Sequence, residues 1–235
     1  MFYTILKIKI PTSKLGEDWI TNLQFSSSSF LTSVDLAIAN NDKKVRVLRI
    51  FESDSDSSGS DRLQVERKMI ESTKFQVKSE TILRGHQNWV TSLKWFTDSV
   101  GDQKLVTCSM DKSIIVWGET EENGIWEDQH NLGEMGGGNM GFLGIVTGLD
   151  SHGKRAIMTH SYSGSLHMWW EIENGKWKSA PSPSGHYSSV RDLSWCPQSN
   201  YLLSTSYDQT TRLYAKVNKC FIIFFFNSYT FVRDL

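Results

Sequence analysis

Ser109-Met110-Asp111-Lys112-Ser113-Ile114-Ile115-Val116-Trp117 reads as a strand end, a polar turn centred on Asp, and a hydrophobic strand closed by an aromatic residue. The same order returns at Asp208-Gln209-Thr210-Thr211-Arg212-Leu213-Tyr214. It returns in altered form at Ser161-Tyr162-Ser163-Gly164-Ser165-Leu166-His167-Met168-Trp169, where Ser163 takes the place of Asp. A fourth copy surrounds Asp42, with Val45-Arg46-Val47-Leu48 behind it and Leu48 in the aromatic position. Units of this kind repeated every ~40–50 residues are the signature of a β-propeller, in which each repeat supplies one blade.

Whole blades emerge on either side of these turns. Gly85-His86 precedes Trp89-Val90-Thr91-Ser92-Leu93-Lys94-Trp95, whose apolar and polar residues alternate as in a half-buried strand. Leu105 to Ser109, Ile114 to Trp117 and an outer strand beginning at Ile125-Trp126-Glu127 complete a four-stranded blade. The last repeat matches it, with Gly185-His186, Val190 to Trp195, Tyr201 to Ser206 and Thr211 to Tyr214. The third has no Gly-His pair and starts near Gly141-Phe142; the first opens at Asp18-Trp19-Ile20. Phe75-Gln76-Val77-Lys78 resumes alternation and is expected to be the missing outer strand before Gly85.

The reading divides the chain into a degenerate blade at 1–50, an acidic Ser-rich insertion at 51–74 and a blade at 75–130. A degenerate blade follows at 131–178, then a blade at 179–215 and an irregular apolar tail at 216–235. The fold class is all-β, an incomplete β-propeller of about four four-stranded blades. The run Glu52-Ser53-Asp54-Ser55-Asp56-Ser57-Ser58-Gly59-Ser60-Asp61 has nothing apolar to bury and is expected to be disordered. An open ring leaves blade faces uncovered, so the isolated chain is expected to aggregate or to depend on a partner.

Composition narrows the classes of function. Nine Trp, twelve Phe and seven Tyr among 235 residues suit stacked sheets, and a net charge of −1 gives no global field for nucleic acid or an anionic membrane. Cys108, Cys196 and Cys220 form no CxxC pair, which argues against a zinc ribbon or disulfide framework and favours a reducing compartment. Met1 to Ile10 alternates after Ile5, reads as a strand and lacks the features of a signal peptide. Phe221 to Phe226 is apolar but far short of the ~20 residues that span a bilayer. No membrane role is expected.

His86, Thr107, Asp111 and Trp117 fall where a blade can close a hydrogen-bonded network, and His186, Ser204, Asp208 and Tyr214 repeat the set. A catalytic triad is the competing reading of His, hydroxyl and Asp, but a triad is expected once, beside an oxyanion hole. Recurrence in two blades favours a structural role, so no catalytic residue is assigned. Gly136-Gly137-Gly138-Asn139-Met140-Gly141 matches GxGxxG, yet the strand-like Phe142 to Val146 follows where a dinucleotide site needs a helix. His130, His152, His160 and His167 have no metal-ligand spacing, and neither cofactor nor metal is expected. Trp89, Trp170 and Trp177 are candidate partner anchors, and for Trp89 packing between blades is the favoured reading. Lys43, Lys44, Arg46 and Lys112 are the candidates for contact with phosphate.

With these motifs, the chain resembles the WD40-repeat proteins. The wording of Gly85-His86-Gln87-Asn88-Trp89-Val90, Asn123-Gly124-Ile125-Trp126, Gly133-Glu134-Met135-Gly136-Gly137 and Asp208 to Ala215 is similar to the double-propeller WD40 subunit of the Elongator complex. The similarity runs from about residue 16 to 215, outside the acidic insertion, and stops at Ala215. That resemblance implies a non-catalytic scaffold that binds the complex's catalytic and large scaffold subunits and supports modification of wobble uridines in tRNA. It also implies a cytoplasmic and nuclear location, with direct tRNA contact a weaker implication. The alternatives are an unrelated WD40 adaptor, such as a ubiquitin-ligase receptor or signalling platform, and a non-functional truncated product.

Overall fold

The protein is described by a computed structural model that covers residues 19–26, 33–53, 74–120, 124–133, 140–149, 153–172, 175–181, 183, 186–196, 201–217 and 220–227. Side chains at 52–53, 74–80, 216–217 and 220–227 lie outside the description, as does that of Ser33. Strands β1 (Ile20–Phe25), β2 (Ser33–Asn40), β3 (Lys44–Ser53) and β4 (Lys74–Arg84) form the first sheet in that order. The second sheet is β5 (Val90–Thr97), β6 (Gln103–Ser109), β7 (Ile114–Glu119) and β8 (Trp126–Leu132). The third is β9 (Phe142–Leu149), β10 (Arg155–Ser161), β11 (Leu166–Glu171) and β12 (Trp177–Ala180). The fourth is β13 (Val190–Trp195), β14 (Tyr201–Ser206), β15 (Thr210–Val217) and β16 (Cys220–Asn227).

Every sheet is an antiparallel meander, and the first strands of successive sheets lie against one another. This arrangement is that of an incomplete propeller with four blades. β4 pairs with β3 from Lys44↔Arg84 to Ser53↔Lys74, so residues 74–84 complete the first blade and not the second. The expected outer strand at Phe75 is therefore present, while the acidic stretch 54–73 lies outside the described residues. Residues 1–18, including the expected N-terminal strand, also lie outside them.

The tail at 216–235 is not wholly irregular. Cys220–Asn227 pairs with β15 from Thr210↔Asn227 to Val217↔Cys220 and supplies the fourth strand of the last blade. A continuous apolar run has no period-two signal, which hid this strand from a reading based on alternation.

Blades pack face to face through apolar side chains, and at the first joint small ones meet large ones. Ala37, Ala39, Val45 and Val47 of the first sheet meet Leu93, Trp95, Leu105, Ile115 and Trp117 of the second. Val106, Cys108, Ile114 and Val116 then face Phe142, Ile145, Ile157 and Trp169, and Met158, Leu166 and Met168 face Leu193, Leu202 and Tyr214. Each large buried side chain contributes about 1.5–3 kcal/mol. Polar links cross the same joints: Trp95 Nε1 donates to the Gln24 carbonyl at 3.0 Å, and Thr91 Oγ1 to the Phe142 carbonyl at 2.8 Å. Arg49 clasps Asp35 in its own blade at 2.9 Å and Glu119 in the second at 3.0 Å.

Among the described residues the arc has two open ends. Leu203 occupies the blade position of the buried Ala37, Val106 and Met158, yet is 38% exposed. Leu23, equivalent to the fully buried Leu93, is 55% exposed.

Candidate interaction surface

The turns β2–β3, β6–β7, β10–β11 and β14–β15 emerge on one edge of the sheets, together with the segments that enter β5 and β13. In all four turns one residue is left-handed at the same place: Lys43 (φ 68), Lys112 (φ 71), Gly164 (φ 85) and Gln209 (φ 65). For a non-glycine residue that conformation costs about 1–2 kcal/mol. The preceding Asp offsets it by accepting backbone N–H groups two residues on. Asp42 accepts Lys44 N at 3.1 Å, Asp111 accepts Ser113 N at 2.8 Å, and Asp208 accepts Thr210 N at 2.9 Å. The third turn has no Asp and uses glycine at the left-handed position.

In the second blade the turn is bolted to the sheet. Trp117 Nε1 donates to Thr107 Oγ1 at 2.9 Å, and that hydroxyl meets His86 Nε2 at 2.7 Å. His86 Nδ1 lies 3.1 Å from Asp111 Oδ2, which also accepts Gln87 N at 2.7 Å. The run of donors assigns the proton to Nδ1, leaving Nε2 to accept from Thr107. The fourth blade repeats the pattern: His186 Nδ1 to Asp208 Oδ2 at 2.8 Å, Nε2 to Ser204 Oγ at 2.6 Å, and Ser204 Oγ to Tyr214 Oη at 3.3 Å. The eight sequence candidates thus come together as two groups of four.

Electrostatics follow from this arrangement. Burial pushes the Asp111 carboxyl up, but hydrogen bonds from His86 and Ser113 outweigh it and hold the group well below 3.8. Asp208 behaves likewise, with Thr210 and His186 as donors. Burial lowers His186 below 6.5 against the opposing pull of Asp208. Thr107 and Ser204 are fully buried, so neither hydroxyl is a solvent-facing nucleophile of the kind a triad requires.

The degenerate blades solve the same problem differently. Asp42 pairs with Arg46 at 2.6 Å, and Arg46 also reaches Asn40 at 3.3 Å. Arg46 is therefore buried and committed, unlike the phosphate-contacting residue the sequence suggested. In the third blade, hydroxyls link Ser161 to Ser163 at 2.7 Å and Ser163 to Ser165 at 3.2 Å. Thr159, at the position of Thr107, is fully buried and its hydroxyl has no partner.

The fixed edge carries exposed aromatic rings. Trp19 is 82% exposed, Trp89 54%, Tyr162 56%, Tyr187 92% and Tyr207 60%. Backbone bonds tie them to the turns: Asn41 N donates to the Trp19 carbonyl, Met110 N to the Trp89 carbonyl, and Tyr187 N to Asp208. Arg191 lies 4.6 Å from the Tyr207 ring centre and Arg212 5.7 Å from that of Tyr187. Trp89 does not pack between blades as expected, because it precedes β5 and the strand's alternation does not extend to it. Trp170 and Trp177 are half-buried against Trp195 and Phe96, so both serve joints between blades.

Other sequence candidates resolve simply. Gly141 is pressed against the Met110 backbone, which leaves no room for a Cβ; residues 134–139 of the glycine-rich loop lie outside the description. His160 and His167 sit within the third blade, His152 lies outside the described residues, and no group of metal-ligating side chains converges among those described. Burial pushes the Cys108 thiol up to about 12, which leaves it an inert core side chain. Among the described residues no helix is long and apolar enough to cross a membrane.

Comparison with known proteins agrees with this geometry. The family described as "WD domain, G-beta repeat" matches residues 77–118 and 177–215. Elongator complex protein 2 of Danio rerio is 34% identical over 209 residues, covering 84% of this chain and 25% of that protein. The Homo sapiens protein of that name is 32% identical over 215 residues, covering 85% of this chain and 25% of its own length. The chain therefore spans about a quarter of these relatives. A chain in the "Crystal structure of an active polycomb repressive complex 2 in the basal state" superposes with a TM-score of 0.60 at 14% identity, over 86% of this chain and 38% of that one, a likeness of fold alone.

Proposed function

We propose that this chain, a WD40-repeat protein similar through most of its length to Elongator complex protein 2, is a non-catalytic scaffold that docks protein partners on its turn edge. The observation that carries the reading is the row of exposed Trp and Tyr rings set on turns that two hydrogen-bonded networks hold rigid. Large amphipathic side chains on a rigid frame lose little entropy on binding and are the usual anchors of protein interfaces.

The relatives' name directs the finer assignment. The chain holds the catalytic and large scaffold subunits of an Elongator-type assembly, supports wobble-uridine modification of tRNA, and works in the cytoplasm and nucleus. Chemistry resides in another subunit. Direct tRNA contact has less support, since Arg46 is already bonded to Asp42.

Affinity purification of the tagged chain from its native cells tests this reading. Elongator-type catalytic and large scaffold subunits are expected in the eluate, and Trp89→Ala with Tyr187→Ala should reduce their recovery at least tenfold without altering the melting temperature. Recovery of a different assembly, or undiminished capture by the double variant, overturns it.

A further inference from the structure

A cleft opens on the edge opposite the turns, where the β5–β6 connection of the second blade meets Gly175 and the start of β12 in the third. Its volume is about 370 Å³, enough for one long side chain and its neighbours. Phe96 and Trp177 form two walls at 86° to each other, with ring centres 6.0 Å apart. Glu171 and Lys104 line it as buried charges, and the exposed Gln129 stands at its rim.

The charges are unequally satisfied. The Lys104 ammonium lies 3.5 Å from both Asp98 and Asp102, so its charge is matched. Glu171 accepts the Ser99 hydroxyl at 3.0 Å, and its other oxygen is 3.5 Å from Arg155 Nε. That nitrogen makes no hydrogen bond, so the contact is a loose ion pair. A carboxylate can accept about four hydrogen bonds, and burial makes each missing one costly. Burial also holds His130 below 6.5, so this lining residue adds no competing positive charge near neutral pH. An under-donated carboxylate beside an indole suits a planar cation that can bond one and stack on the other.

We infer that this cleft binds the guanidinium of an arginine side chain supplied by a partner protein, with Glu171 accepting its N–H groups and Trp177 stacking on its plane. The site is distinct from the turn edge, and its test is independent of the scaffold reading. The full chain is titrated with N-acetyl-arginine methylamide, and with the citrulline analogue as a neutral isostere, while the Trp177 indole N–H resonance is followed. Saturable shifts of that resonance with a dissociation constant of about 1–10 mM are expected for arginine, and none for citrulline. Glu171→Gln should weaken binding about tenfold. Because Glu171 is buried, Gln129→Glu at the rim provides a second arm: it adds an acceptor without touching the core and should tighten binding severalfold. Equal response to citrulline, no shift of Trp177, shifts confined to other tryptophans, or unchanged affinity in Gln129→Glu overturns the inference.

Discussion

The second and third blades have the same strands, the same turn conformation and a hydroxyl at the same buried position, but opposite polar arrangements. Around Thr107 an imidazole, a carboxylate and an indole satisfy one another. Around Thr159 nothing does: its hydroxyl and the cross-strand His167 Nε2 are both buried without hydrogen bonds. The third blade nevertheless packs well, with Ile157 and Met158 fully buried and Phe142 set edge-on to Trp169 at 89°. Apolar contact between neighbours is thus sufficient to hold a blade in the ring. The network's separate contribution is to fix the turn, and with it the residues the turn displays.

The sharpest way to break this contrast is Asp111→Ala, which removes the acceptor for His86, Gln87 and Ser113 together. A loss of about 4 kcal/mol is expected in urea denaturation, because several hydrogen bonds to one buried carboxylate are lost together and His86 Nδ1 keeps only Ser113 Oγ, at 2.9 Å. The corresponding Ser163→Ala in the third blade should cost about 1 kcal/mol, since two neutral hydroxyl links are lost and the buried Ser161 hydroxyl keeps the Ser165 carbonyl as a partner. Equal costs would show that the network is no more than ornament to packing.

Acid should expose the next largest difference. Burial between the third and fourth blades pushes His160 down to about 4, although one ring nitrogen bonds the Val190 backbone. Asp192 is the charged group that opposes this shift. The unfolded chain takes up the proton near 6.5 and the folded chain only near 4, so stability is full above 6.5 and declines as pH falls through this window. The decline should reach about 3 kcal/mol at pH 4, and His160→Gln should flatten that part of the curve. Asp111 and Asp208, held below 3.8, add a further loss only under stronger acid, because their contribution is present above that value and disappears as they protonate. A wild-type curve flat between pH 6.5 and 4 would contradict the assignment.

The smallest effect compares the two hydroxyls directly. Thr107→Val should cost about 2 kcal/mol by orphaning His86 and the Trp117 indole. Thr159→Val, at an equivalent site with no bond to lose, should be neutral or slightly stabilising. Thermal melts of the two variants side by side read this difference.

Much of the second and fourth blades is legible in the chain because its signals are local. Asp at a turn followed by a left-handed residue is chemistry within three residues, and Gly-His before an alternating strand announces the next blade. The eight network residues carry such local signals. Three features do not. The strand Cys220–Asn227 carries no alternation and is recognisable only through its pairing with β15. Arg46 looks like a surface cation in sequence, and its burial depends on Asn40 and Asp42 reaching it. Trp89 looks like a core residue, and its exposure depends on the chain leaving the sheet one residue before Val90.

By itself, the amino-acid sequence determined an all-β chain of repeated blades, the positions of the turns, and the two networks that brace them. Each of these rests on short-range hydrogen bonding and side-chain period, which a linear pattern carries. Only the tertiary structure decided which aromatics remain in solvent, which cations are already paired, and that a cleft lined by Glu171 and Trp177 exists between two blades. Those properties arise where separate blades meet, and they depend on the distance between side chains more than 70 residues apart, such as Ser99 and Glu171 with a separation of 72.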